Sequence, residues 1–389
     1  MAKKDDMRDR VRSDYADLKE RFKDTKVEDF KSGDWFAQYV SWMLTKYSRE
    51  VDAAYIRRQY PGAAPANQAR KAISLAAKYN GIAGGVAAAG VTALELSSIG
   101  PQAVVTVPAI GVLIMADVGY STRTQLRSTY DLSVIHGAPL AMDDVEDCYT
   151  VFLTAMGVKL YEMAGGWGKA VGPQIVAYNV RKLLRSGLRR SLQEVLKKVG
   201  GTRLARALTE RATMRLLVPG VSVPIAYGFN HYFTKQVLNV ANKQMHRRGR
   251  VVQPLIRAYK RDPAISKTAA LKILISIIDA GEPEGWSDAQ MDALRYCQGT
   301  LSLTDDDLSE LDEYFDREID SVLDELPTLA PKAVNDLVEL VTVSSACFPD
   351  NRYDEGYAES ISKLAARSSK KRTAQTIHSD IKKQRKKLL

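Results

Sequence analysis

Residue types that do chemistry are present in this sequence, but few of them fall at spacings that chemistry needs. Gly165-Gly-Trp-Gly-Lys169-Ala170 approaches a phosphate-binding loop, yet Met163 stands where the first glycine belongs and Ala170 where a magnesium-holding hydroxyl belongs. Gly220-Val-Ser222-Val-Pro224 begins like a nucleophile elbow and ends in proline, which cannot make the tight turn. His136, His231, His246 and His378 are scattered, so no two imidazoles share a helix face at the spacing of a zinc hydrolase. One polar grouping remains to be weighed here. Asp131, Asn230 and His231 would form a hydrolase-type site if the fold brought them together, and Asn230 and His231 follow a Gly-containing apolar run where a buried polar site can form. The reading that ranks ahead of it has the same side chains as hydrogen bonds tying buried helices together, the more common use of buried polar groups.

The stronger signal is charge. Between Gly172 and Lys260 there are 18 Lys or Arg against only Glu194 and Glu210; between Asp279 and Leu326 there are 16 Asp or Glu against only Arg295 and Arg317. The net charge of +10 therefore conceals an inversion along the chain, and such a chain can dock its own halves or hold an anionic and a cationic partner. From Ile175 to Val199 an apolar stripe is backed by Arg181, Lys182, Arg185, Arg189, Arg190, Lys197 and Lys198, and Arg203, Arg206, Arg211 and Arg215 extend the positive surface. An amphipathic cationic helix of this kind lies on anionic lipid, each nearby cation adding about 1 kcal/mol. Alternatively, its stripe faces a core and its cations pair with the acidic segment. Nucleic acid ranks below lipid, because no recognisable reader accompanies the cations.

The elements that must position these groups are helices. Apolar residues recur at three and four nearly throughout, and strand-like alternation is almost absent, so the fold class is all-α. Met7, Val11, Tyr15, Leu18 and Phe22 predict an amphipathic opening helix; an aromatic-rich helix follows from about Asp34 to Gln59, ended by Pro61-Gly-Ala-Ala-Pro65. From Tyr79 to Ala116 the only charge is Glu95, which predicts a central apolar hairpin broken around Ser97-Ser-Ile-Gly-Pro101. Gly81, Gly85 and Ala89 form a small-residue stripe for close helix approach, and Pro101 and Pro108 mark the second arm. Each arm has about 15 apolar residues, short of the roughly 20 a spanning helix needs, so the hairpin is expected in a core; insertion as a pore-forming effector is the competing use. Cys148, Cys297 and Cys347 offer no disulfide framework, and the charged N-terminus has no apolar signal core, which points to the cytoplasm.

Four stretches in order resemble the EcsC protein family over roughly residues 35 to 260: Gly81-Ile-Ala-Gly-Gly-Val-Ala-Ala-Ala-Gly90; Tyr130-Asp131; Val218-Pro-Gly-Val-Ser-Val-Pro-Ile-Ala-Tyr-Gly-Phe-Asn230; and Ala241 to Arg250. The acidic segment, with Ile278-Asp279-Ala280-Gly281, resembles the TerB-like helical modules of tellurite resistance. There Asp279, Glu282, Glu284 and Asp288 either gather oxygens around a divalent cation or form a solvated acidic loop; no other cofactor is expected. The resulting organisation is an amphipathic helix (1–33), an EcsC-like basic helical domain (34–262), an acidic TerB-like module (263–348), and a linker with a mobile basic tail (349–389). The resemblance implies a non-enzymatic bacterial scaffold or sensor in envelope stress or defence. It would be peripherally bound to an anionic membrane surface or a membrane protein, with a protein partner on its acidic module.

Overall fold

The computed structural model describes residues 2–22, 53–97, 103–140, 223–262, 269–280, 310–311, 314, 317–325, 328–346 and 355–388. Among them are ten helices and no strand, as the periodicity predicts. They are α1 (Ala2–Phe22), α2 (Ala53–Gln59), α3 (Pro65–Ser97), α4 (Ala103–Ile135), α5 (Val223–Arg261), α6 (Ala269–Ala280), α7 (Ile319–Glu325), α8 (Pro331–Ala346), α9 (Glu355–Ala366) and α10 (Ala374–Leu388).

The chain divides into two compact units. In the first, α3 and α4 pair along their lengths and α1 lies against both. Val11, Tyr15 and Leu18, the three- and four-spaced stripe of α1, are buried as the spacing demands. Pro65 opens α3 where its missing N–H costs nothing, and Gly62 before it sits at φ 66°, so the break between α2 and α3 is set by local chemistry. The α3 core face is mostly alanine (Ala69, Ala72, Ala76, Ala77, Ala83, Ala87), and short side chains let α4 come close. The two arms of the predicted hairpin thus exist, as parts of helices of 33 residues each. No helix among the described residues is long and apolar enough to cross a membrane.

The second unit contains the turn His136–Pro139, the part of α5 from Lys243 onward, and α6 to α10. At its centre, α6 buries Ala269, Ala270, Leu271, Ile273, Leu274, Ile275 and Ile277; Lys272 and the buried Ser276 interrupt the apolar run. A helix apolar on all sides must be surrounded, and α7, α8 and α9 pack around it. Charge reinforces the assembly. The carboxylate of Asp336 on α8, 5% exposed, accepts from Arg257 Nε at 3.2 Å and forms an ion pair with Arg261 Nε at 3.2 Å, while Glu339 takes Arg257 at 2.7 Å. Asp262, just beyond α5, accepts from the Ala330 N–H at 2.7 Å, ahead of α8. The packing consequently divides the chain elsewhere than its composition does. Although α5 ends at Arg261, Val251, Leu255 and Ala258 are buried among the residues of the acidic module and so belong with it.

The predicted mobile tail is also an ordered element. Thr373 Oγ1 accepts from the Thr376 N–H at 3.3 Å, an N-cap that starts α10. Ile377 and Ile381, one turn apart, are fully buried against the same core. Two isoleucines on one face supply enough apolar surface to dock a segment otherwise dominated by Lys and Arg.

Candidate functional site: a glycine-seated polar seam and an exposed aromatic face

In the first unit α5 approaches α3 across glycine. A Cβ on Gly81 would meet the Tyr227 ring at 2.8 Å, and one on Gly84 would strike the Asn230 amide and lie 2.8 Å from the Ala226 carbonyl oxygen. The stripe predicted from sequence is therefore used in a different register. Gly81 and Gly85 are buried, but Ala89 is exposed, and Gly84 is the second position against which α5 rests. Pro108 lies within α4, and Pro101 lies outside the described residues.

Close approach lets short polar side chains reach one another. Asn80 Nδ2 donates to Thr234 Oγ1 at 2.8 Å, Gln125 Nε2 donates to the same oxygen at 3.4 Å, and Asn230 Nδ2 donates to Asp117 Oδ1 at 3.4 Å. All five residues are buried. Together they form a polar seam that joins α3, α4 and α5 and fixes their register, since a slip of one residue would strand buried donors in an apolar interior. Asn230 is thus a helix-tying group.

Asp131 is not its neighbour. It sits on α4 fourteen residues from Asp117, about 21 Å along the helix axis, and acts on Tyr60, whose phenol is pushed up by burial, then by Asp131 and by Tyr55. His231 stacks on Tyr227 with centroids 6.0 Å apart. The grouping of Asp131, Asn230 and His231 is not assembled, because each residue follows its own helix face. Sequence reasoning passed over Asp117, Asn80, Gln125 and Thr234; the available signal was Asp117, a lone acid closing the apolar run.

The far side of α5 carries the other feature. Phe229 and Tyr232 are 47% and 63% exposed, with Val240 also open, and Phe229 stacks on the partly buried Phe233 at 6.3 Å. Lys235 and Lys243 are exposed on the same helix, and from Val223 to Arg261 its sequence contains no acidic residue.

Arg181, Lys182, Arg185, Arg189, Arg190, Lys197, Lys198, Arg203, Arg206, Arg211 and Arg215 lie outside the described residues, as do Glu282, Glu284 and Asp288. Asp279 falls near the end of α6, and no cluster of three or more metal-ligating residues occurs among the described residues. No family model, curated protein or solved structure matches this chain.

In the second unit, charged side chains of the acidic segment are engaged with their own neighbours. Lys272 Nζ pairs with Glu310 and donates to Tyr314 Oη at 3.1 Å. Tyr314 Oη donates to Glu325 at 2.5 Å, and Arg317 closes the network on Glu325. Burial alone would lower the Lys272 pKa; the hydrogen bonds to Glu310 and Tyr314 outweigh it and raise the value. Lys272 and Arg317 also lie over the Tyr314 ring, 4.3 and 4.7 Å from its centroid. This arrangement braces α6 against the segment before α7.

A second histidine contact has a pH consequence. His246 meets His136 edge to face at 5.2 Å. Burial, then His136, Arg250 and Arg247, hold its pKa below the ordinary imidazole value. The unfolded chain then takes up a proton first, so the stability held above about pH 6.5 is lost as pH falls through that value toward the folded pKa. Thermal unfolding should show the melting temperature of the wild type dropping further than that of His246→Gln between about pH 7.5 and pH 5.5. Parallel drops would refute the assignment.

Proposed function

We propose that the protein is a non-catalytic helical scaffold or sensor that works against an anionic membrane surface, with an EcsC-like body and a TerB-like module as the resemblance implies, in a bacterial envelope-stress or defence setting and on the cytoplasmic side. The observation that carries this reading is the exposed face of α5. Aromatic side chains open to solvent, with lysines beside them and no acid on the helix, make the composition that settles at the boundary between headgroups and acyl chains. Apolar surface of this kind on a soluble face is otherwise a liability. The cationic amphipathic stretch from Ile175 to Arg215 supports the same partner on charge.

Vesicle sedimentation tests it. Full-length protein should pellet with phosphatidylcholine vesicles containing phosphatidylglycerol and stay in the supernatant with pure phosphatidylcholine. Phe229→Ser/Tyr232→Ser should weaken binding at least ten-fold, since each buried aromatic contributes on the order of 1.5–3 kcal/mol; Arg185→Glu/Arg189→Glu/Arg190→Glu should abolish it. Undiminished binding by both variants would defeat the proposal.

A further inference from the structure

We propose that α10 is a separate, purely electrostatic lipid contact in the second unit; this rests on the membrane reading only in taking anionic phospholipid as the partner. Several carboxylates of this unit already hold cations of their own. Asp320 pairs with Lys363 at 2.6 Å, Asp324 with Arg367 at 3.0 Å, Glu325 with Arg317 at 2.5 Å, Asp380 with Arg372 at 3.4 Å, and Asp336 with Arg257 and Arg261. Lys370, Lys371, Lys382, Lys383, Lys386 and Lys387 are exposed and make no ion pair with a described residue.

Helical geometry gathers four of them. At about 100° per residue, Lys382, Lys383, Lys386 and Lys387 fall within an arc of about 140°. That arc is opposite Ile377 and Ile381, which the core holds at 0% exposure. The helix therefore cannot roll to hide its lysines without pulling its isoleucines into water. The other side chains on the arc are Gln375, Thr376 and Ser379, so it has nothing apolar to insert. Lysine ammonium groups are point charges without the planar fork that reads phosphates in pairs, and no aromatic lies among them to stack on a base. A surface of this kind matches a diffuse field of anionic headgroups; four to eight cations on one helix suffice.

The test compares full-length wild type with Lys382→Gln/Lys383→Gln/Lys386→Gln/Lys387→Gln, by sedimentation with phosphatidylcholine vesicles containing phosphatidylglycerol. Each lysine is worth roughly five-fold in partitioning, so the quadruple variant should bind several hundred-fold more weakly. Ser379→Glu, which places a carboxylate mid-arc, should cost roughly five-fold, and wild-type binding should fall as salt shortens the Debye length. Circular dichroism should be unchanged, because every substituted side chain faces solvent. Wild-type binding by the quadruple variant, with binding lost in Phe229→Ser/Tyr232→Ser, would overturn this contact and leave the α5 reading intact. A wild type indifferent to anionic vesicles would overturn both. Tighter wild-type binding to polyuridylate than to vesicles, lost in the quadruple variant, would overturn lipid in favour of nucleic acid.

Discussion

Gly249→Ala should lower the melting temperature by about 4–8 °C, whereas Gly228→Ala, on the same helix, should raise it by about 2–4 °C. Both exchanges add one methyl to α5 and both gain about 1 kcal/mol of intrinsic helix preference. Their surroundings decide the sign. A Cβ at 228 meets nothing within 4 Å, but one at 249 would land on the carbonyl oxygen of His136. That oxygen belongs to the backbone of the turn after α4, which Gln253 clamps through a 2.6 Å hydrogen bond to the Gly137 carbonyl. Gly137 is itself at φ 72°, where other residues are strained. The turn has little room to move, so the cost should approach the upper end of the 1–3 kcal/mol typical of overpacking, about 2 kcal/mol net. At about 2–4 °C per kcal/mol for a unit of this size, differential scanning calorimetry resolves the two shifts. Equal shifts would mean that the turn does not rest on Gly249.

Ile377→Ala/Ile381→Ala should release α10. Both side chains are fully buried, and an isoleucine truncated to alanine in a core costs on the order of 2–5 kcal/mol. Besides the isoleucines, the described ties of the helix are polar: an N-cap at Thr373, Arg250 to Gln384 at 2.9 Å and Arg372 to Asp380 at 3.4 Å. The expected result is rapid tryptic cleavage after Lys382 and Lys383 in the double variant under conditions where the wild type resists, with backbone amides of residues 377–387 losing hydrogen-exchange protection. If the wild type were cut as fast, the segment would be a loose tail and the lysine face of α10 would have no fixed geometry. The variant also separates charge from shape, since it keeps every lysine and loses only the helix that aligns them.

How far composition alone reads this fold can be followed in particular residues. Val11, Tyr15 and Leu18 repeat at helical spacing, and they are buried. Pro61-Gly62 and Pro65 punctuate the chain where α2 stops and α3 starts. The tail was misread for a physical reason: a window dense in Lys and Arg scores as solvated, while two isoleucines one turn apart are enough to dock once a core is there to receive them. The polar grouping shows the structural use of buried polar groups rather than a catalytic one. Asp131, Asn230 and His231 carry chemistry by type, but helix phase points Asn230 at Asp117 and leaves Asp131 beside Tyr60.

What the sequence by itself determined is local: helical periodicity, the breaks at proline and glycine, and the inversion of charge between neighbouring segments, all of which depend on residues a few positions apart. The tertiary structure alone decided which glycines seat α5, that Asp117 and Asn80 are tied to its Asn230 and Thr234, and that the second half of α5 joins the acidic module through Arg257, Arg261 and Asp336. Those outcomes depend on contacts between residues tens to more than a hundred positions apart, whose energies are set by burial and by which partner arrives, and neither quantity is written in the local spacing of the chain.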